Sequence, residues 1–492
     1  MRQYAMAIIV FLMLHSNSIA QVHWSKHQNN PVLHYAAQPT CLIDNDTMKM
    51  WYASGYMGVS RIKSAWSIDG IIWNNYNNGN PVLSLGEENE WDNIWHDTPE
   101  ILMGDDMYYL YYYGDSTTRL LFNIGTYDSI TCALGMASSA DGFHWIKSNN
   151  NPVLQKGDSA AFDGRWIESP TVHFNQQNQT YYMWYGAMPW DLHSSIGLGV
   201  SYNAHAWQKS AENPVLTGGP DFYDLVGVYV PCVIQSGEIF EMWYCGAPPI
   251  QSMWDSISIG YAVSIDGINW IKYPNNPVYD RFFPPVNPEA DNASAWAPEV
   301  VFVQDSNKYL MYYDGSNGIN LAIADRDILF SENCDISITE NLTIYYGDQV
   351  QLQVNGGEHY HWIPSFGLSN PFIANPIASP EETTTYTVLI VSETCITTRQ
   401  VLITVDENNA IDNDFLSVIN IHPNPVKAGS EIKLNKHIRD ACITIHDIAG
   451  NTLYRNDRFS GNVLNIASNI KQGIYILQII EASHIQLIKL NI

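Results

Sequence analysis

The chain has 492 residues, of which 46% are hydrophobic, and it carries 23 Lys and Arg against 50 Asp and Glu, for a formal charge of −27. That length admits two to four domains. The negative balance excludes a nucleic-acid binder, whose surface must be positive to displace counterions, and favours a neutral or cationic partner.

Residues 1–20 read as a secretory signal peptide. Arg2 gives a positive start, Ala5–Leu14 is an apolar stretch too short to span a bilayer, and Ser18-Ile19-Ala20 fits a small-residue cleavage site. No Cys follows that point to carry a lipid, and no later stretch is long and apolar enough for a membrane helix. An exported chain permits disulfides. Cys334 and Cys395 bracket one segment like a staple, and Cys232 and Cys245 lie on consecutive strands where they could also meet. The seven cysteines leave at least one thiol over, and no Cys-x-x-Cys or His-x-x-x-His pair suggests a zinc site.

From residue 21 to about 330 one unit recurs. A Trp is followed seven or eight residues later by the proline of Asn-Pro-Val-Leu or a near copy, at Trp24/Pro31, Trp73/Pro81, Trp145/Pro152, Trp207/Pro214 and Trp270/Pro277. After each pair come a loop, a short apolar strand led by a proline (Pro39, Pro99, Pro170, Pro231, Pro298), an aromatic strand and a third strand. Ser-x-Asp-Gly-x-x-Trp turns at Ser67–Trp73, Ser139–Trp145 and Ser264–Trp270 then lead into the next Trp. Asp-Gly is hairpin chemistry, because Gly readily takes positive φ. Units of this length with four short strands predict an all-β, five-bladed β-propeller. The fifth unit stops after its third strand, Asn320–Ala324, and the missing strand is Trp24–Leu33 at the other end. The N-terminal strand is therefore expected to close the ring and remove its open edges.

Two further segments follow. Residues 334–405 alternate like strands at Gln349–Val354, Tyr386–Ile390 and Val401–Val405 and read as a small β-sandwich of immunoglobulin type. Its Gly356-Gly357-Glu358-His359-Tyr360-His361-Trp362 and Thr383-Thr384-Thr385-Tyr386-Thr387-Val388 stretches resemble the Ig-like modules near the C-termini of secreted Bacteroidetes proteins. After a linker at 406–417, residues 418–492 contain Ile421-His422-Pro423-Asn424-Pro425, Ile445-His446-Asp447-Ile448-Ala449-Gly450, Gly473-Ile474-Tyr475 and Lys489 in order. This set resembles the C-terminal sorting domain of type IX secretion. The resemblance implies passage through the periplasm and outer membrane to the surface or medium, with the type IX machinery as a partner. Such residues are an address and carry no chemistry.

Function must come from the propeller, where the first strand of every blade lines a central funnel. Aligned on their prolines, the five strands begin Ala37-Gln38-Pro39, Asp97-Thr98-Pro99, Glu168-Ser169-Pro170, Tyr229-Val230-Pro231 and Trp296-Ala297-Pro298. Repeats tend to keep equivalent places alike, yet the place two before the proline holds Ala, Asp, Glu, Tyr and Trp. Two carboxylates flanking a cleft suit glycoside hydrolysis, one activating water and one donating a proton to the leaving oxygen. Asp97 and Glu168 are the candidate catalytic pair. Gln38, His96, Tyr229, Trp296 and Glu299 are the candidate sugar contacts, the aromatics offering flat apolar faces. The bland alternative is that the two acids cap strand ends. No cofactor is required, and a structural ion near the axis is compatible with the reading. By contrast, Tyr108–Tyr113, Tyr181–Tyr185, Phe240–Tyr244 and Tyr309–Tyr313 recur in register, as core packing does, and Asp69, Asp141 and Asp266 are turn residues.

These repeats, with Tyr-Tyr-Met-Trp-Tyr-Gly at 181–186, resemble the five-bladed propellers of the arabinanase–invertase superfamily of glycoside hydrolases. Glu168-Ser169-Pro170 is similar to the Glu-Gly-Pro element that holds the general acid there, and Trp296-Ala297-Pro298-Glu299 resembles a Trp-Ala-Pro element, in a different blade. The resemblance implies a secreted glycosidase acting on poly- or oligosaccharide, with inversion expected for carboxyls on neighbouring blades. One departure stands out. The family commonly begins with Ala-Asp-Pro, whose Asp is the base, and here Gln38 cannot take a proton. Either Asp97 has become the base, with Asp92, Asp163, Asp221, Asp224 and Asp291 as further acids on nearby loops, or the chain is a non-catalytic carbohydrate-binding propeller. A third reading is a structural surface protein with an empty funnel.

Overall fold

A computed structural model describes residues 24–492 apart from 56–59, 105, 117–130, 177, 250–256, 281–294, 316, 327–333, 407–418 and 482–483. The signal peptide, residues 407–417 of the linker and Asp291 lie outside the described residues, and Asp406 ends the strand Ile396–Asp406. The fold is all-β, and no α-helix occurs among the described residues. Contacts divide the chain into two compact units. One contains the repeat region with Gln351–Ala378 and Thr385–Val401, and the other contains Asn341–Val350, Ser379–Thr384 and Leu402–Ile492.

The repeats form five antiparallel sheets, each with a first, second and third strand in sequence order. In sheet 1 these are Ala37–Asp44, Thr47–Gly55 and Ser60–Ser67; in sheet 2, Trp95–Met103, Tyr108–Asp115 and Cys132–Ser139. Sheet 3 has Trp166–Asn175, Thr180–Met188 and Ser195–Ser201, and sheet 4 has Gly227–Ser236, Ile239–Ala247 and Ser258–Ser264. Sheet 5 has Trp296–Val303, Lys308–Gly315 and Gly318–Asp325. Each first strand packs against those of the two flanking sheets, and the first strand of sheet 5 packs against that of sheet 1. On the outer side of sheet 5, Ser25 pairs with Ile323 and Leu33 with Ile319.

The Asn-Pro motif has a clear physical role. In four sheets the Asn side chain bonds both backbone groups of one third-strand residue, as a strand neighbour would: Asn30 with Leu321, Asn151 with Met136, Asn213 with Leu198 and Asn276 with Tyr261. The following proline is cis in all four. Sheet 1 departs from the pattern, since the Asn80 side chain turns to the Asn77 carbonyl. The Asp-Gly turns are built by Asp69, Asp141 and Asp266, whose Oδ1 atoms accept two backbone N–H bonds each, while Gly70, Gly142 and Gly267 adopt φ of 71–79°. Sheet 3 reaches the same turn with Asn203 and with Ala204 at φ 63°.

Aromatic second strands hold adjacent sheets together. Trp51 Nε1, Tyr111 Oη, Trp184 Nε1 and Tyr312 Oη occupy equivalent places and donate to the turn carbonyls of Gly142, Ala204, Gly267 and Gly70 in the next sheet. Trp243, at this place in sheet 4, faces a sheet with no such turn, and its buried Nε1 has no partner among the described residues. Leu389, Val391 and Ile396 join Trp24, Trp243, Tyr261, Tyr273 and Tyr309 in one buried cluster. Tyr273 also donates to the Glu393 carbonyl at 2.5 Å. Cys395, next to Ile396, is disulfide-bonded to Cys334, as its bracketing position suggested. Cys232 and Cys245 are free thiols, because their rungs differ: Cys232 pairs with Trp243, and Cys245 with Tyr229.

In the C-terminal unit, Glu431–Asp447 is flanked by Thr452–Asn465 and Ile474–Glu481, with His484–Asn491 beyond the latter. Ile432, Ile443, Ile445, Leu477, Ile479 and Leu490 form its core. Asp447 makes the turn of its Asp-Ile-Ala-Gly motif by accepting from the Ala449 and Asn451 N–H groups.

Leu389 is fully buried whereas Ile377 is 43% exposed. Leu389→Ala is expected to destabilise the chain by about 2–5 kcal/mol, and Ile377→Ala by much less. Urea unfolding of the two variants checks this, and equal midpoints would remove the structural role assigned to the 385–401 segment.

Candidate functional site

Every first strand has a β-bulge at its leading proline. The residue before the proline is left-handed in all five: Gln38 (φ 48°), Thr98 (41°), Ser169 (49°), Val230 (50°) and Ala297 (49°). For non-glycine residues this is strained, most of all for a β-branched valine. The pairing register shifts at the same step in each sheet, from Ala37 to Thr40, Asp97 to Glu100, Glu168 to Thr171, Tyr229 to Cys232 and Trp296 to Glu299. The extra residue returns both flanking residues of each pair to one face of the strand.

The strained residues are tied to one another across sheets. Gln38 N–H donates to Asp314 Oδ1 at 2.8 Å, Thr98 N–H to Gln38 Oε1 at 3.2 Å, and Ser169 N–H to Thr98 Oγ1 at 3.1 Å. Ala297 N–H donates to Cys245 Sγ at 3.3 Å. These links place Gln38, Asp97 and Glu168 at one level on three successive sheets. Asp97 accepts from Trp95 Nε1 at 2.8 Å and from the Thr98 N–H at 3.1 Å, two bonds that favour its charged form. Glu168 lies against Gly186, where a Cβ would stand 3.4 Å from its Cγ. Tyr229 and Trp296 pack with Val230, Cys245, Ile257 and Ala297. Burial, then the nearby Cys245 and Glu168, drive the Tyr229 hydroxyl well above its usual range.

Two carboxyls here carry no obvious sequence signal, because they sit on second strands assigned to core packing. The residues paired across from Ala37, Asp97, Glu168, Tyr229 and Trp296 are Ala53, Tyr113, Gly186, Cys245 and Asp314. Asp314 breaks that series as Asp97 and Glu168 break the first one. Burial, and secondarily the charge of Asp97, push its carboxyl well above the usual range. Asp115, at the end of its strand and fully buried, accepts from Tyr113 Oη at 2.8 Å.

Three candidate contacts have partners within the sheets. His96 is fully buried and its Nε2 lies 3.1 Å from Asp92 Oδ2, so its ring turns into the sheet and away from Asp97. The Gln38 side chain is engaged as an acceptor for Thr98. Glu299 is buried in a hydrogen-bonded belt below the level of Asp97. The loop acids also have other work. Asp92, Asp163 and Asp224 are buried and ion-paired to Lys147, Lys209 and Lys272 at 2.6, 2.5 and 2.6 Å, once in each of sheets 2, 3 and 4. Asp221 is exposed.

The belt is made by the residue after each leading proline. Thr40 Oγ1 accepts from Ile101 N–H at 3.3 Å, Glu100 Oε1 from Val172 N–H at 2.9 Å, and Thr171 Oγ1 from Val233 N–H at 3.2 Å. Cys232 Sγ accepts from Val300 N–H at 3.2 Å, and Glu299 Oε1 from Cys41 N–H at 2.6 Å. Thr40 Oγ1 also lies 3.1 Å from Glu100 Oε2 and 3.5 Å from Glu299 Oε1, so two carboxyls share one hydroxyl. Glu100 keeps some accessible surface, yet its dense surroundings push its carboxyl up to about 7. Burial, and then the neighbouring Glu100, raise the Glu299 carboxyl well above its usual range. Among the described residues no group of three or more His, Cys, Asp or Glu side chains is placed to hold a metal ion.

With this geometry established, the chain can be set beside known proteins. Residues 420–492 match the secretion system C-terminal sorting domain. This sorting domain directs the chain to the cell surface or the medium. No curated protein matches the chain in sequence. Similar solved structures include a glycoside hydrolase (18% identity, TM-score 0.48, covering 62% of this chain and 90% of that one). Others are a glycosyl hydrolase from Bacteroides ovatus (16%, 0.47, 62% and 94%) and a thermostable family-43 glycoside hydrolase (19%, 0.45, 60% and 90%).

The belt gives stability a pH dependence of definite sign. Both glutamates bind protons more tightly folded than unfolded, so their contribution is complete below about pH 4.5 and declines as pH rises through about 7. Glu299→Gln keeps an acceptor for Cys41 and removes the repulsion. It should match the wild type near pH 4.5 and be more stable at pH 8 by about 1 kcal/mol or more, since a tenfold change in proton affinity is worth about 1.4 kcal/mol. Urea midpoints measured from pH 4.5 to 8 test this, and parallel curves for the two proteins would contradict it.

Proposed function

We propose that the chain is an exported protein of glycoside-hydrolase type, acting on a poly- or oligosaccharide held in the funnel of a five-bladed propeller closed by its N-terminal strand. The observation that carries the reading is the break in repetition at one level of the ring. There the fold requires only a residue ahead of the bulge, and the chain places Asp97, Glu168, Tyr229 and Trp296. Aromatic faces suit sugar rings, and the carboxyls suit acid–base work.

In this reading Glu168 donates its proton to the glycosidic oxygen as the bond to the anomeric carbon breaks. Asp97, kept charged by Trp95 and the Thr98 N–H, takes a proton from the water that attacks the same carbon. One water is consumed, and the two carboxyls exchange protonation states. Carboxyls roughly 6–9 Å apart leave room for that water and give inversion. No cofactor takes part. The second reading, a carbohydrate-binding propeller without turnover, draws on Gln38, which occupies a place where related enzymes hold an acid and here serves as a backbone acceptor.

A panel of plant, algal and microbial glycans separates the two. Wild-type turnover that falls about 10²–10⁴-fold in Glu168→Gln, with binding retained, supports hydrolysis. Equal binding without turnover in both proteins supports the binding reading, and no interaction with any glycan overturns both. Removal of residues 418–492 should leave a folded propeller trapped in the periplasm, which fractionation and proteolysis would reveal. Surface arrival of that truncated chain would contradict the role given to the sorting domain.

A further inference from the structure

In four sheets the strained residue ahead of the leading proline gives its N–H to a side chain of the preceding sheet, and that side chain comes from one of two places. For sheets 1 and 5 it stands on the second strand: Asp314 Oδ1 accepts from Gln38 N–H at 2.8 Å and Cys245 Sγ from Ala297 N–H at 3.3 Å. For sheets 2 and 3 it is the preceding strained residue itself, Gln38 for Thr98 and Thr98 for Ser169. Neither place serves Val230 in sheet 4. Gly186 holds the second-strand place of Asp314 and Cys245, and Ser169 Oγ is buried with no partner among the described residues. The fold does not demand this glycine. Gly114 and Gly246, on equivalent strands, are fixed by packing, since a Cβ would come within 2.3 Å of Trp91 and 2.6 Å of Tyr223. At Gly186 the atoms nearest a Cβ would be Glu168 Cγ at 3.4 Å, the Glu168 carbonyl oxygen at 3.5 Å and Val230 N at 3.6 Å, all ordinary van der Waals distances. Its φ also lies outside the left-handed region. Gly186 therefore keeps room for one non-hydrogen atom beside Glu168 and Val230.

We propose that Gly186 is a specificity-determining residue: the room it leaves beside Glu168 receives a hydroxyl of the sugar at the scissile bond. The proposal rests on the functional reading above and names the group that this part of the site selects. The atoms around the place point to a hydroxyl. A backbone N–H only donates and a carbonyl only accepts, and the carbonyl has lone pairs for two donors. A hydroxyl does both, with its oxygen toward Val230 N and its hydrogen toward the Glu168 carbonyl. A methyl group satisfies neither, and a carboxylate exceeds one atom and sets a second charge against Glu168. The position suits a sugar. Glu168 and Tyr229, the first-strand residues of this joint, both keep accessible surface. They are also the acid and the aromatic that interrupt the repeat on sheets 3 and 4. In the complex the sugar hydroxyl takes the part that Asp314 and Cys245 play at their own joints.

Gly186→Ala fills the room with one methyl group and leaves the lining atoms in place. Because that Cβ meets nothing closer than 3.4 Å, the urea midpoint should equal or exceed that of the wild type. The probes are the glycan panel above and the methyl glycosides of arabinose, xylose, glucose, galactose and mannose. Gly186→Ala should weaken the binding of any sugar held by the wild type about tenfold or more. Tyr229–Val230 is the only Tyr-Val step in the chain, so labelling tyrosine carbonyl carbons and valine nitrogens isolates the Val230 amide by NMR. Its signal should move when the wild type binds sugar and stay in place in the Gly186→Ala complex. Unchanged binding by Gly186→Ala, a Val230 amide indifferent to bound sugar, or a lowered urea midpoint overturns the proposal, while wild-type turnover still upholds the hydrolytic reading. Binding that weakens in Gly186→Ala, without turnover in the wild type, keeps the assignment of Gly186 and removes hydrolysis. If no sugar in either set binds, the proposal and the reading fail together.

Discussion

A ring of β-sheets has an unavoidable problem at its centre. The first strand of each sheet has one edge paired to its second strand and another facing the axis, where no strand can supply acceptors. Here the N–H groups of Cys41, Ile101, Val172, Val233 and Val300 take a side-chain acceptor from the preceding sheet: Glu299, Thr40, Glu100, Thr171 and Cys232. The bulge at each leading proline brings that acceptor to the correct face. An aliphatic residue at any of the five places would orphan a buried N–H, at a cost of about 1–3 kcal/mol. This requirement explains why the residue after the proline is always one that can accept. Two of the five acceptors are glutamates, whose carboxyls burial raises above their usual range.

The sequence made the repeat legible because each unit must solve the same problems: Asn ahead of a cis proline, Asp-Gly at a turn, an aromatic pointing at the neighbouring turn. Repetition likewise exposed Asp97 and Glu168 as exceptions. The same comparison along the second strands would have shown Asp314, whose neighbours in the series are Ala, Tyr, Gly and Cys. It was hidden because those strands read as uniform aromatic core. The belt was hidden for a different reason. Thr, Glu, Thr, Cys and Glu share no chemistry except the ability to accept, so no residue-type pattern marks them. His96 and the loop acids misled for a third reason. Adjacency in sequence placed His96 near Asp97, yet alternate residues of a strand face opposite ways. Asp92, Asp163 and Asp224 recur, which is the mark of structure, and each is bound to a lysine of its own sheet.

Two sets of carboxyls are therefore stacked near the axis. Glu299 and Asp314 are the more enclosed members, and burial raises both carboxyls above their usual range, whereas Asp97 accepts from Trp95 Nε1 and the Thr98 N–H.

The joint between sheets 4 and 5 shows how a repeat fold treats an irregularity. At the axis, sheet 5 meets sheet 1 by the same kind of bond as every other pair, Cys41 N–H to Glu299. The outer contact of sheet 5 with sheet 1 is also regular, with Tyr312 reaching Gly70. The defect lies one step earlier, where Trp243 of sheet 4 finds no turn in sheet 5, because the strand completing that sheet comes from the other end of the chain. A covalent turn cannot exist there. The chain meets the loss with apolar area instead of a hydrogen bond, bringing Leu389, Val391 and Ile396 into the cluster that holds Trp243, beside the Cys334–Cys395 disulfide. Burying an indole against aliphatic side chains recovers the packing, although the Nε1 proton finds no acceptor among the described residues. The segment after the propeller thus completes the one joint that the repeat cannot.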